Sequence, residues 1–156
     1  MGGYILNKTK LILIAMSPIF IGYMLNFILR FIPSLIYMAP FLMLAYWFWA
    51  GMKYAKIIKK PVIAILLANS IGIISILLYY WQFLILPAGE RNLAIAAFSQ
   101  IFTTPLDFIS ALTRLLFKAA NESTQVTTIT MQTFEIVLML IVFSCGYFYK
   151  KYKPKS

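Results

Sequence analysis

The sequence predicts an all-α integral membrane protein, with four transmembrane helices and an amphipathic helical segment between the third and the fourth. Two observations predict this class. Of the 156 residues, 62% are hydrophobic and 12% are charged, whereas a soluble domain is about half apolar and about a quarter charged. The apolar residues also form long runs without a polar face, each near the ~20 residues that cross a bilayer. We therefore interpret residues 1–156 as a single membrane domain.

The third apolar run sets the orientation of the other spans. Residues 61–86 carry no charge, and at ~1.5 Å per residue a helix of this length exceeds the ~30 Å hydrocarbon core. A lysine cluster between Lys53 and Lys60 precedes this run, and residues 79–81 near its far end are all aromatic. Lysine-rich flanks are typical of the cytoplasmic side, and aromatic residues are typical of membrane interfaces. The start of this span is therefore predicted to be cytoplasmic.

The other spans follow from the remaining lysines. Most of the 14 basic residues are lysines in three clusters without an acid, at residues 8–10, 53–60 and 150–155. Four spans with both termini in the cytoplasm bring all three clusters to one side, as the positive-inside rule requires. This explanation of the +10 charge makes a nucleic-acid partner unnecessary. The predicted spans are about 11–30, 34–52, 61–86 and 129–149.

The stretch between residues 87 and 125, which contains the amphipathic segment at about 90–119, differs from the spans because its acidic and basic residues balance, which suits the outer side of the membrane. Its polar residues recur every three or four positions, which predicts one polar helix face. They are Ser99, Thr103, Asp107, Ser110, Arg114 and Lys118. We expect two short helices, about 90–102 and 105–119, lying in the outer interface or entering the membrane as a re-entrant hairpin. A fifth span is the alternative, and it would place the C-terminal lysines outside.

Glu135 is the one acid inside a predicted span, which makes it a candidate intramembrane site. Gln132 and Thr128 share its helix face, and Asn69 of the third span is a further polar candidate. The possible charge partners are Arg30, Asp107 and Arg114. Two interpretations stay open: a working carboxylate, or a structural group near the outer surface that water or an arginine satisfies. The second is favoured.

A second feature of the third span is a row of small residues. Ala64, Ala68 and Gly72 recur every four positions and predict a helix-packing face, since small side chains let another helix approach closely. This pattern is common in membrane helices. It predicts packing and no particular function.

No catalytic, cofactor-binding or metal-ligating residues are predicted, and no cofactor is expected. The chain has no histidine, its acids lack metal-motif spacing, and Cys145 is the single cysteine. The leading hypothesis is a non-enzymatic accessory or scaffolding subunit of a larger membrane complex. A small transporter or channel subunit with a polar path near Glu135 is the alternative, and a membrane-perturbing or immunity protein is a third.

The expected partners are the lipid bilayer and other membrane protein subunits or a second copy of the chain. The abundance of lysine and isoleucine resembles the composition of proteins from AT-rich bacteria. The expected location is therefore a bacterial plasma membrane.

Overall fold

The structure, a computed structural model, describes residues 2–109 and 124–153, and the regular structure within these ranges is entirely helical. The α-helices are α1 (Gly2–Ile28), α2 (Ala39–Ile57), α3 (Pro61–Tyr80), α4 (Leu93–Ile101) and α5 (Thr124–Tyr152). A π-helical turn, Trp81–Ile85, extends α3, and short 3-10 turns form at Pro33–Tyr37, Ala88–Glu90 and Thr104–Leu106.

Three helices in these ranges are long and apolar enough to span a membrane. Their apolar portions are Thr9–Ile28, Pro61–Ile85 and Ile129–Tyr152, with mean hydropathies of 2.1, 2.4 and 1.8. Large apolar side chains cover their outer surfaces, as a lipid-facing bundle requires. The predicted all-helical class is thus confirmed for the described residues, and three helices could span a membrane. The helix α2 has 19 residues and is less apolar, because it contains Lys53, Lys56 and several tyrosines and tryptophans.

Two tyrosines bring the lysine clusters to one end of the bundle. The Tyr54 hydroxyl at the end of α2 donates a hydrogen bond to the Leu11 carbonyl of α1, at 2.7 Å. The Tyr147 hydroxyl of α5 donates to the carbonyls of Ile58 and Lys59, at 2.8 and 2.9 Å. The start of α1, the α2–α3 connection and the end of α5 therefore lie together, and we call this the lysine end.

The most extensive contact between described helices joins α2 and α5, and two glycines permit it. A Cβ atom at Gly51 would overlap the Phe143 carbonyl oxygen, and one at Gly146 would overlap the Phe48 carbonyl oxygen. The backbones can approach this closely only because neither position has a side chain. We call this contact the glycine interface. Trp47 packs beside it, with its ring centroid 5.8 Å from that of Phe143.

The second predicted span starts later than its sequence suggests. Residues 33–37 form a 3-10 turn, and α2 begins at Ala39 instead of residue 34. Pro40 therefore lies in the first turn of α2, where proline is tolerated. Pro18, by contrast, lies inside the continuous helix α1.

Candidate functional site: a buried polar cluster

The helix α4 turns its polar side chains toward the bundle. Its start is capped by the Asn92 side chain, whose Oδ1 accepts hydrogen bonds from the amides of Ala94 and Ile95. Ser99 is buried, whereas Leu93 is 81% exposed. The predicted helix at about 90–102 is therefore observed as Leu93–Ile101, with its polar face inward and apolar side chains outward. This arrangement suits a lipid environment outside and hydrogen-bonding partners inside.

Residues 102–106 insert among the long helices. The Phe102 ring packs on α3, where a Cβ built at Gly72 would lie 2.6 Å from its Cε1 atom. The same ring meets Trp47 of α2 edge-on, at 6.2 Å between centroids. Thr104 accepts a hydrogen bond from the Asn26 amide of α1, at 3.4 Å, and Leu106 is fully buried. The turn thus contacts α1, α2 and α3.

Thr103 connects this turn to α5. Its hydroxyl donates a 2.8 Å hydrogen bond to Oε1 of Gln132. Glu135 lies about one turn further along α5 and is 1% exposed. On the α3 side, Tyr79 and Gln82 are also buried, and the Tyr79 hydroxyl lies within electrostatic range of the Glu135 carboxylate. We call these five residues, Tyr79, Gln82, Thr103, Gln132 and Glu135, the polar cluster.

The π-helical turn shapes the α3 side of the polar cluster. The Leu86 amide donates to the Trp81 carbonyl, at 3.1 Å, which is the wider i→i+5 bond of a π-helix. Gln82 lies in this turn, and its Oε1 accepts a 2.7 Å hydrogen bond from the Asn92 amide at the start of α4. Within the described residues its Nε2 is buried without a hydrogen-bond partner. Gln82 therefore fastens α4 to the end of α3.

The structure divides the predicted site residues between different places. Gln132 and Glu135 lie in the polar cluster, whereas Asn69 accepts a 3.1 Å hydrogen bond from Trp47 Nε1 and donates one to the Ile65 carbonyl. Asn69 thus connects α2 to α3. The Thr128 side chain and all of Arg114 lie outside the described part of the chain, as do Ser110 and Lys118.

The remaining predicted charge partners lie at the surface. Arg30 is exposed after the end of α1. Asp107 follows the inserted turn and is also exposed, yet desolvation by the adjacent protein raises the pKa of its carboxyl to about 7. The predicted packing face, Ala64, Ala68 and Gly72, is buried along α3.

Arg91 was missed as a member of this region. Its guanidinium donates to the carbonyls of Phe83 and Leu86, each at 3.4 Å, and stacks 5.3 Å from the Phe83 ring. It also lies within electrostatic range of Tyr79. Arg91 thus attaches the loop between α3 and α4 to the end of the π-helical turn. The sequence signal was its position directly after the third span, where a basic residue can bind the last helix carbonyls.

Chemically, the polar cluster offers hydrogen bonds and one buried carboxylate. No group of three or more metal-ligating side chains occurs in residues 2–109 and 124–153.

Comparison with protein-family models, with curated proteins and with solved structures finds no match for this chain. The chemistry of the cluster itself is therefore the basis for assigning a function.

Proposed function

We propose that the protein is a four-span membrane protein, with α4 and the 102–106 turn as a re-entrant segment, and that it acts as an accessory or scaffolding subunit of a larger membrane complex. The observation that carries this proposal is the use of its buried polar groups. Among the described residues, hydrogen bonds of Gln132 and Gln82 connect the inserted turn and the start of α4 to the long helices.

The position of the lysine end supports four spans with both termini cytoplasmic. The hydrogen bonds of Tyr54 and Tyr147 place the start of α1 and the end of α5 at the same end as the α2–α3 connection. The helix α2, which follows α1 and precedes α3 in the chain, must therefore run back along the bundle toward the lysine end. Its 19 residues give about 28 Å at ~1.5 Å per residue, close to the ~30 Å hydrocarbon thickness.

Contacts of the inserted turn support a re-entrant segment. The chain leaves α3 at Leu86 and returns inward along α4. Ile101 packs against Gly22 of α1, and a Cβ at that glycine would overlap the Ile101 carbonyl oxygen. Phe108, just beyond the turn, meets Tyr37 edge-on at 4.9 Å between ring centroids. Since Tyr37 lies in the α1–α2 connection, the chain is already returning to the end from which it entered.

The polar side chains support a structural role over a transport path. Gln132 bonds Thr103, Gln82 bonds the Asn92 amide, and Asn69 bonds Trp47. Each of these hydrogen bonds joins two different elements, so each stabilises the assembled bundle. What the bundle presents to its surroundings is apolar: on α1 the exposed side chains include Ile12, Leu13, Phe20 and Phe27. An apolar surface suits contact with lipid and with other membrane helices.

The test is to extract the tagged protein from its native membrane with a styrene–maleic acid copolymer. We expect a particle that contains another membrane protein in fixed stoichiometry. Phe20→Ala on the exposed face of α1 should release that partner. Ile141→Ala, at a similarly exposed position on α5, is the matched control. A wild-type particle containing lipid and a single copy of this 17.9 kDa chain would contradict the proposal.

A small transporter or channel subunit is the second candidate, and the burial of Glu135 favours it. A carboxylate in the membrane interior is costly and often functional. Reconstitution of the purified protein in liposomes with an internal pH dye separates the two functions. A transporter should show proton or cation flux that Glu135→Gln abolishes while the fold persists. The scaffold proposal expects no flux above that of empty liposomes for either protein.

A further inference from the structure

A cavity at the lysine end, away from the polar cluster, has no role in the function proposed above. It has a volume of about 600 Å³ and lies between α1, the end of α2 and the first half of α3. This volume is within the range of about 300–1,000 Å³ that is typical of ligand sites. Its lining includes Leu11 and Ala15 of α1, Tyr54 and Lys56 of α2, and Leu67 and Ser70 of α3. We call it the inner groove.

We propose that the inner groove binds one anionic phospholipid, with an acyl chain along the groove and the phosphate headgroup at Lys56. This inference concerns a lipid and does not depend on any protein partner. It goes beyond the scaffold function, and either could hold without the other.

The depth of the inner groove matches one leaflet. On α3 it extends as far as Ile71, which lies ten residues after the first residue of that helix, Pro61. Ten residues of α-helix rise about 15 Å, half of the ~30 Å hydrocarbon core. A partner transmembrane helix would need to continue through the other leaflet, whereas an acyl chain ends near the midplane.

The walls of the inner groove suit a hydrocarbon chain. Its polar side chains already have partners in the protein: the Tyr54 hydroxyl donates to the Leu11 carbonyl, and the Ser70 hydroxyl donates to the Leu67 carbonyl. The remaining wall is largely aliphatic. The groove also opens sideways toward lipid, since the lining residues Ile12 and Leu67 are both more than half exposed. A chain can therefore enter from the bilayer without crossing the protein.

Charge selects the headgroup. Lys56 lines the groove. Three further lysines, Lys53, Lys59 and Lys60, lie within four residues of it in the sequence. No Asp or Glu precedes Glu90 or follows Glu135 in the sequence, so the three lysine clusters contain no acidic side chain that would compete for these ammonium groups. Basic residues between helices on the cytoplasmic side are a known basis for binding anionic lipids. A zwitterionic headgroup would lack this net attraction.

The experiment is native mass spectrometry of the full-length protein in detergent, titrated with dioleoyl phosphatidylglycerol and, separately, dioleoyl phosphatidylcholine. We expect one phosphatidylglycerol to bind more tightly than phosphatidylcholine. Lys56→Gln should weaken phosphatidylglycerol binding about fivefold, the effect of one basic residue near an anionic surface. Lys153→Gln, which changes an exposed lysine at the same end, should leave binding unchanged.

A second pair of variants tests the acyl chain. Ser70→Trp should fill the inner groove and abolish lipid retention, whereas Ile74→Trp, one turn along α3 and 54% exposed, should not. If Ser70→Trp does not fold, as judged by circular dichroism, Leu67→Trp at the mouth replaces it. Retention by a folded groove-filling variant would overturn the proposal. Equal affinity for both lipids would overturn it too, as would full displacement of the lipid by millimolar inorganic phosphate.

Discussion

The glycine interface and the polar cluster hold the same bundle by different physical means. Between α2 and α5, Gly51 and Gly146 let two backbones meet with no side chain between them. Around the inserted turn, close packing of Phe102 on Gly72 is supplemented by hydrogen bonds such as Thr103–Gln132. In lipid, where helices gain little from the hydrophobic effect, close van der Waals packing and interhelical hydrogen bonds are the two available sources of stability. Close packing between backbones leaves little room for adjustment, because the backbone atoms are fixed by their helices. The hydrogen bonds involve side chains, which can change conformation.

The largest effect is expected at the glycine interface. Gly146→Ala places a Cβ against the Phe48 backbone carbonyl, and overpacking against backbone should lower the free energy of unfolding by about 3 kcal/mol. Steric trapping in lipid bicelles measures this quantity. Gly89→Ala is the control, because a Cβ there meets no atom of the described residues within 4 Å. Equal stability of the two variants would mean that α2 and α5 are not in close contact.

A smaller loss is expected where α3 meets the inserted turn. The three atoms nearest to a Cβ at Gly72 all belong to the Phe102 ring. Since this is a side chain that can shift, we expect Gly72→Ala to lower the free energy of unfolding by about 1–2 kcal/mol. Leu77→Phe, on the exposed side of α3, should change stability by less than about 0.5 kcal/mol. If Gly72→Ala were as neutral as Leu77→Phe, the turn would not pack on this face.

Next in size is the hydrogen bond between Thr103 and Gln132. Thr103→Val, Gln132→Leu and the double variant form a mutant cycle that isolates the pair. We expect a coupling free energy of about 0.6 kcal/mol, with an upper value near 1.7 kcal/mol, as measured for interhelical hydrogen bonds in membranes. Ser144→Ala serves as the control, since Ser144 bonds only the Leu140 carbonyl of its own helix. A coupling free energy of zero would contradict the hydrogen bond between Thr103 of the inserted turn and Gln132 of α5.

The smallest effect concerns pH. The folded protein raises the pKa of Asp107 from its ordinary value of 3.8 to about 7 by desolvation, so the folded state binds the proton more tightly. The stability contributed by this residue is fully present below about pH 4 and is lost as the pH rises through 7. The effect should be modest because Asp107 is exposed at the surface.

The pH effect is measured as the thermal midpoint of the detergent-solubilised protein between pH 4 and pH 8. Asp107→Asn should flatten the decline that wild type shows over this interval. Glu90→Gln, which changes another exposed acid, should retain the decline. A wild-type protein whose stability rises with pH across this interval would contradict the assigned sign.

The sequence predicted the apolar helices well because their signal is local. The third span was expected at 61–86 and is observed as a continuous apolar helical stretch, Pro61–Ile85. The glycine interface was not predicted, since Gly51 and Gly146 are far apart in the chain and their contact depends on how two helices align. The row Ala64–Ala68–Gly72 was noticed only because its spacing lies within a single helix.

The polar face of α4 shows a different limit. Periodicity placed Ser99 and Thr103 on one side of a helix but could not say what that side would face. In water such a face would be exposed, whereas here both residues are buried. Glu135 and Gln132 were identified from charge and spacing alone. Their neighbours Gln82 and Tyr79 required the tertiary fold, since they reach the cluster from another helix.

Single-cysteine labelling tests the four-span arrangement most directly. In a Cys145→Ser background, cysteines placed at positions 56, 90, 121 and 153 are labelled with a membrane-impermeant maleimide in intact cells and in inverted vesicles. We expect positions 56 and 153 to be labelled from the cytoplasmic side and positions 90 and 121 from the outer side. Labelling of positions 56 and 153 from opposite sides would contradict the four-span arrangement and would require a fifth span.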